Sequence, residues 1–437
     1  MSGIPADVDA DAAPPMTVPL RHFVVALAFL VAGVSVGVVE GRAGHLAQVH
    51  LLLAGWVCLT IMGALTQFVP VWCGIELHSR RLAAVQLPLA AVGFAGLAAA
   101  FLTATPAILP VAGAFALVGV WTLCYNIGRT LLAAAPDVTA IHFGWALVFF
   151  ALVTAAGFVL AMDHAVGVLP LLGIGRQGLL LAHGTLAVFG AVLTTVAGAL
   201  AQLAPMFTQA DTGRIDAAVQ RAETAVYPLG VLALAGGRLV GSPVLARLGA
   251  VLVAAGLGAV AVLLARQLVG ARVEWSPMLT RYSVAALSLF LWAGLTVVAW
   301  WNDPLAYTGL LGQPSTALLV GGIGFVVFGT LYHVVPFIIW VHRYSDRLGF
   351  EDVPMVDDLY DHRIAAVDGV AVTIAYALLA SNQWFATPDG TALVAGIFAF
   401  FGTLLFAGNL VAVLVAHSPQ SLPTLLTGRE HTSAEDS

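Results

Sequence analysis

The chain predicts an all-α polytopic membrane protein, with twelve transmembrane helices forming three parallel four-helix repeats about a pseudo-threefold axis. Of its 437 residues 60% are hydrophobic and 9% charged, with a mean hydropathy of +0.97. That leaves too little polar surface to clothe a water-soluble globule. Twelve apolar runs are each long enough to cross a hydrocarbon core of ~30 Å as helix: 20–40, 47–74, 82–103, 108–133, 138–162, 178–207, 222–240, 244–268, 281–301, 313–342, 364–381 and 391–416. The end of the second run, Gly63-x3-Gln67-x2-Pro70, returns as Gly198-x3-Gln202-x2-Pro205 and Gly329-x3-His333-x2-Pro336, at steps of 135 and 131 residues. One helical unit is therefore written three times.

In chain order, residues 1–19 are acidic and contain proline, and they lack the basic start of a secretory signal; the expectation is a disordered cytoplasmic tail. The membrane domain covers 20–417, in repeats 20–137, 138–280 and 281–417, and 418–437 reads as a second disordered tail. The repeats open alike, at Arg21-His22-Phe23, His142-Phe143 and Arg281-Tyr282. Their third spans also open alike, as Arg81 to Gln86, Arg214 to Gln220 and Arg363 to Asp368. Four spans per repeat is an even number, so the repeats run parallel. Spans 2, 6 and 10 are then equivalent.

Basic residues favour the cytoplasmic side. All 17 are arginine, and with the termini inside only Arg42, Arg176, Arg238 and Arg247 fall outside. Both termini are thus expected in the cytoplasm, with the chain integral to the cell membrane. The longest loop, 343–363, is rich in Asp and Glu; it reads as a solvated segment, with docking of a soluble partner as the alternative. No phosphate-binding loop or basic patch points to nucleic acid. Cys58, Cys73 and Cys124 show no metal-type pairing and read as small buried residues.

Two histidines stand out. His50 and His183 lie near the outer ends of spans 2 and 6, 20 and 22 residues before their prolines; the third repeat has Pro314 or Thr316 in that register. Imidazoles on equivalent helices about one axis are suited to hold a metal or a haem iron. His22 and His142 head spans 1 and 5 and read as interfacial, and His45 and His164 fall just outside the membrane. His333 occupies the register of Gln67 and Gln202, which with Thr60 and Thr195 read as interhelical hydrogen-bonding groups. Trp56, Trp72, Trp121, Trp300, Trp301 and Trp340 read mostly as headgroup anchors. No row of buried acids is evident.

His50, Gly55, Gly63, Pro70 and Trp72 together resemble the second helix of the heme–copper oxidase catalytic subunit superfamily, and more closely the NnrS family of haem- and copper-containing membrane proteins of nitric-oxide metabolism. The resemblance covers the layout of most of the chain, and its motif is specific around 50–72 and, less so, 183–205 and 329–336. It implies that His50 is a haem ligand, that His183 sits where a copper ligand is found, and that a membrane or soluble redox partner exists. The sequence departs from the oxidases in span 7, which has no histidine pair, and in span 10, which lacks the two haem-ligating histidines. The expectation is accordingly a haem-binding membrane protein that is not a complete oxygen reductase. A cofactor-free scaffold subunit or small-solute transporter of the same fold is the alternative.

Overall fold

A computed structural model describes residues 15–41 and 44–427. Among them are α-helical, π-helical and 3-10 segments and no β-strand. Eleven helices are long and apolar enough to cross a membrane, which makes this a membrane protein. They are α1 (Thr17–Val39), α2 (His45–Cys73), α3 (Arg80–Leu102), α4 (Pro106–Leu131), α5 (Val138–Val166), α6 (Arg176–Thr208), α8 (Pro243–Val269), α9 (Pro277–Asn302), α10 (Ala317–Arg343), α11 (His362–Trp384) and α12 (Thr391–His417). Between α6 and α8 lies a helix of similar length, α7 (Arg214–Val240). It carries Arg214, Asp216, Arg221, Glu223 and Arg238, so its membrane character is weaker than the run 222–240 alone implied.

Local sequence explains where the helices begin and end. Ser79, Asp137, Ser242, Ser276 and Asp361 each cap a helix N-terminus by accepting a backbone N–H of the first turn. Gly74, Gly167 and Gly241 follow α2, α5 and α7 in the left-handed conformation that stops a helix. The expected tails fall largely on residues outside those described. Helix α1 already begins at Thr17, and a short helix, Leu422–Thr427, follows α12 with Leu425 buried.

Each of α2, α6 and α10 packs along the helix before it, α1, α5 or α9. Hairpins α3/α4, α7/α8 and α11/α12 pack through long interfaces, and α4 leans on α5, α8 on α9 and α12 back on α1. Small residues permit this closeness. A Cβ added to Gly93 of α3 would stand 2.3 Å from the Ala116 backbone nitrogen, and one on Gly119 of α4 would stand 2.5 Å from that of Ala90. Helices α2, α6 and α10 are the central ones: 61%, 78% and 78% of their apolar windows are buried, against 28% to 50% for the other eight membrane-length helices.

The repeated glycines have one role in all three copies. The Cβ that Gly63 lacks would lie 2.6 Å from His22 Cβ, that of Gly198 2.5 Å from His142 Cβ, and that of Gly329 3.0 Å from the Tyr282 ring. The central helices also share a wide π-helical stretch in the same register, at His50–Cys58, Leu186–Val192 and Ala317–Gly324. Such stretches inside α-helices are frequent at functional sites.

Candidate functional site

His50 opens the π-helical stretch of α2, and His183 lies one turn before that of α6. Both are half-buried. The His50 Nδ1 is 2.8 Å from the Leu46 carbonyl one turn back, and the ring packs against Phe101 with centroids 4.9 Å apart. The His183 Nδ1 is 3.1 Å from the Val153 carbonyl of α5. A carbonyl only accepts, so each Nδ1 carries the hydrogen and each Nε2 is left with its lone pair. Six residues after His50, the buried Trp56 indole N–H has no acceptor among the described residues. Imidazoles tied back to carbonyls at Nδ1 are arranged as metal ligands usually are.

The other histidines marked in the sequence divide. His45 and His164 are exposed, and His164 Nδ1 accepts from Arg176 at 3.0 Å. His333 packs its ring against Phe207 of α6, centroids 4.3 Å apart. His22 and His142, expected at an interface, are instead fully buried at the packed entry of α1 and α5. Trp56 and Trp300, expected as anchors at the headgroups, are core residues: Trp56 meets Phe328 of α10, and Trp300 meets Phe189 of α6. Trp72, by contrast, donates to the Asp137 carboxylate near the end of its helix at 2.7 Å.

At the proline end of the bundle the structure forms a second polar layer. His22 of α1 meets Gln86 of α3 at 3.3 Å, His142 of α5 meets Glu223 of α7 at 2.9 Å, and Arg281 of α9 is ion-paired with Asp368 of α11. The same place in each third of the chain thus holds a buried cross-helix pair of different chemistry. Glu223 fills the place expected for Gln220, one helical turn further on. The Asp368 carboxylate also accepts from the Tyr332 hydroxyl, and Arg281 donates to the Pro277 and Ala365 carbonyls at 2.9 Å each. These acids were missed in the sequence because they stand within a turn or two of the span ends. The one available signal was the shared register of Gln86 and Asp368.

No protein-family model matches the chain, and no curated protein matches it at a significant level. Function is therefore read from the residues themselves. Two cavities stand out among the described residues. One of about 40 Å³ lies between α6, α7 and α8 at the proline end and is lined by Thr212, Asp216, Gln220, Glu223 and Gln267 together with apolar side chains. The other, an open and mostly apolar groove of about 560 Å³ between α4 and α5, has no histidine in its walls.

Proposed function

We propose that this chain is a haem-binding integral membrane protein of the cell membrane, with both termini cytoplasmic, and a divergent relative of the heme–copper oxidase catalytic subunits close to the NnrS type. The observation that carries the reading is the pair His50 and His183, each with Nδ1 held by a carbonyl, which leaves Nε2 its lone pair. Among the described residues no group of three or more His, Cys, Asp or Glu is placed to hold a bare metal ion. Two imidazoles suit haem iron better than copper or zinc, because a porphyrin already supplies four nitrogens and leaves one or two positions to the protein. A haem there would supply one-electron redox chemistry. The carbonyls of Leu46 and Val153 fix the ring orientations, and Phe101 covers one face of His50.

The threefold architecture belongs to the same proposal. Its support is the recurrence of the π-helical stretch, of the glycine under the entering side chain, and of the cross-helix pair, together with the contact of α12 with α1 that closes the series. With no histidine pair on α7 and no haem-ligating pair on α10, the chain is read as incomplete for oxygen reduction.

The test is an absorption spectrum of the purified protein, oxidised and dithionite-reduced, beside His50→Ala and His183→Ala. The expected result is a reduced-minus-oxidised haem signal that shifts or disappears in both variants. Protein made with ample haem yet showing no such signal would refute the reading. It would leave the cofactor-free scaffold or small-solute transporter. One observation favours that second reading: the His183 ring is packed tightly on α5, where a Cβ on Gly157 would come within 2.9 Å of it.

A further inference from the structure

The three cross-helix pairs at the proline end differ in one chemical respect. His22–Gln86 pairs an imidazole with an amide that neither gains nor loses a proton, and Arg281–Asp368 pairs a carboxylate with a guanidinium that does not release one. Only His142–Glu223 joins two titratable side chains, an imidazole and a carboxylate. Its side chains are 1% and 3% exposed. The His142 Nδ1 stands 2.8 Å from the Val138 carbonyl and must carry a hydrogen. Its Nε2 is 2.9 Å from Glu223 Oε2. Without a proton between them, a nitrogen lone pair would face a carboxylate lone pair. The geometry therefore holds one shared proton, drawn either as imidazolium and carboxylate or as imidazole and carboxylic acid.

A second, independent feature marks the same place. The other carboxyl oxygen, Glu223 Oε1, is buried and has no hydrogen-bond partner among the described residues, and Glu223 lines the cavity between α6, α7 and α8. At about 40 Å³ that cavity has room for about three waters. The groups around Glu223 can be taken helix by helix. Helix α5 presents His142, and α6 presents only apolar side chains to the cavity. Helix α7 adds Gln220, Asp216 and Tyr227, the last donating to the Phe189 carbonyl at 2.7 Å. Helix α8 contributes Gln267 to the wall and Arg266, which is ion-paired with Asp216 from the exposed side.

We infer that His142 and Glu223 form a proton-binding site inside the helix bundle, loaded from the adjoining aqueous face through the polar cavity beside Asp216 and Gln267. Uptake places one proton between Nε2 and Oε2 and takes the pair from one negative charge to neutrality; release to cavity water restores the charge. The site is independent of the haem reading, since it involves neither His50 nor His183.

The test counts protons in lipid nanodiscs by infrared and potentiometric titration from mildly acidic to alkaline pH. Glu223→Gln converts the pair to the His–Gln type that the chain already tolerates at His22 and Gln86, so folding should survive. The expected result is a loss of about one titrating proton per chain, with disappearance of a pH-dependent carboxyl or imidazole band. A second variant, His142→Gln, should remove the same proton, whereas Asp216→Asn should leave the band in place. Titration curves of Glu223→Gln and His142→Gln that superimpose on the wild type would overturn the inference, as would a band lost only in Asp216→Asn.

Discussion

Replacing Asp368 by Asn should be among the most damaging single changes in the membrane domain. Arg281 and Asp368 are 4% and 1% exposed, so their charges have almost no solvent to fall back on. The substitution removes the negative charge but leaves the guanidinium in place, facing the Pro277 and Ala365 carbonyls and the Tyr332 ring at 4.8 Å. It also takes a carboxylate acceptor from the Tyr332 hydroxyl. Removing one partner of a buried pair costs about 3–5 kcal/mol. At about 1.4 kcal/mol per decade this is roughly a hundredfold to several-thousandfold shift in the unfolding equilibrium. The double variant Arg281→Met with Asp368→Leu, which removes both charges and keeps the volume, should return to within about 1 kcal/mol of the wild type. Reversible unfolding in mixed micelles measures all of these. An Asp368→Asn protein within about 0.5 kcal/mol of the wild type, or a double variant no better than the single, would show that the pair is solvated and the reasoning wrong.

Other predictions use different parts of the structure. Gly93→Ala places a Cβ 2.3 Å from the Ala116 backbone and should destabilise by about 1–3 kcal/mol, whereas Gly144→Ala, with nothing within 4 Å, should be neutral or stabilise by up to about 1 kcal/mol; melting of the purified proteins compares them. The Asp361 carboxyl, which caps α11 from outside the membrane, is held below the usual carboxylate range by the backbone N–H groups of Ile364 and Arg363. Its contribution is therefore fully present above the ordinary aspartate value and lost as pH falls through its lowered one, so acidification should lower the protection factor of the Ile364 amide, the unprotected exchange rate divided by the observed one at the same pH, and Asp361→Ala should make that factor independent of pH in this range. Buried Arg238 donates to the carbonyls of Pro304 and Leu310 at 3.0 Å and to the Thr185 hydroxyl at 2.7 Å, strapping the 303–312 loop to α6 and α7. Arg238→Leu should raise amide exchange across that loop by about tenfold; unchanged exchange would mean that the loop is held without it.

Much of the fold was legible because a bilayer imposes a simple rule on the chain. Every backbone polar group must be satisfied within the segment, so long apolar runs have to be helices, and eleven of the twelve runs fall on membrane-length helices, while the run 222–240 lies in α7, which already begins at Arg214 among charged residues. The glycine and proline of the repeat were legible as a pattern, but not the reason for the glycine, which is the close approach of His22, His142 and Tyr282. His50 and His183 were legible as candidates because an ionisable residue in an apolar run is conspicuous. Glu223 and Asp368 were not, because their runs begin beside charged residues and the apolar pattern does not mark where the buried layer starts.

The sequence by itself determined that this is a helical membrane protein, where its long helices run, and that α2, α6 and α10 share a motif, because hydropathy and spacing are properties of one segment at a time. The tertiary structure alone decided which side chains meet. It set His183 against the Val153 carbonyl, withdrew Trp56 and Trp300 into the core, and paired His142 with Glu223, 81 residues away. Those meetings depend on how each helix is rotated about its axis and on how closely small residues let the helices approach. Both are settled only when all the packed surfaces are satisfied together.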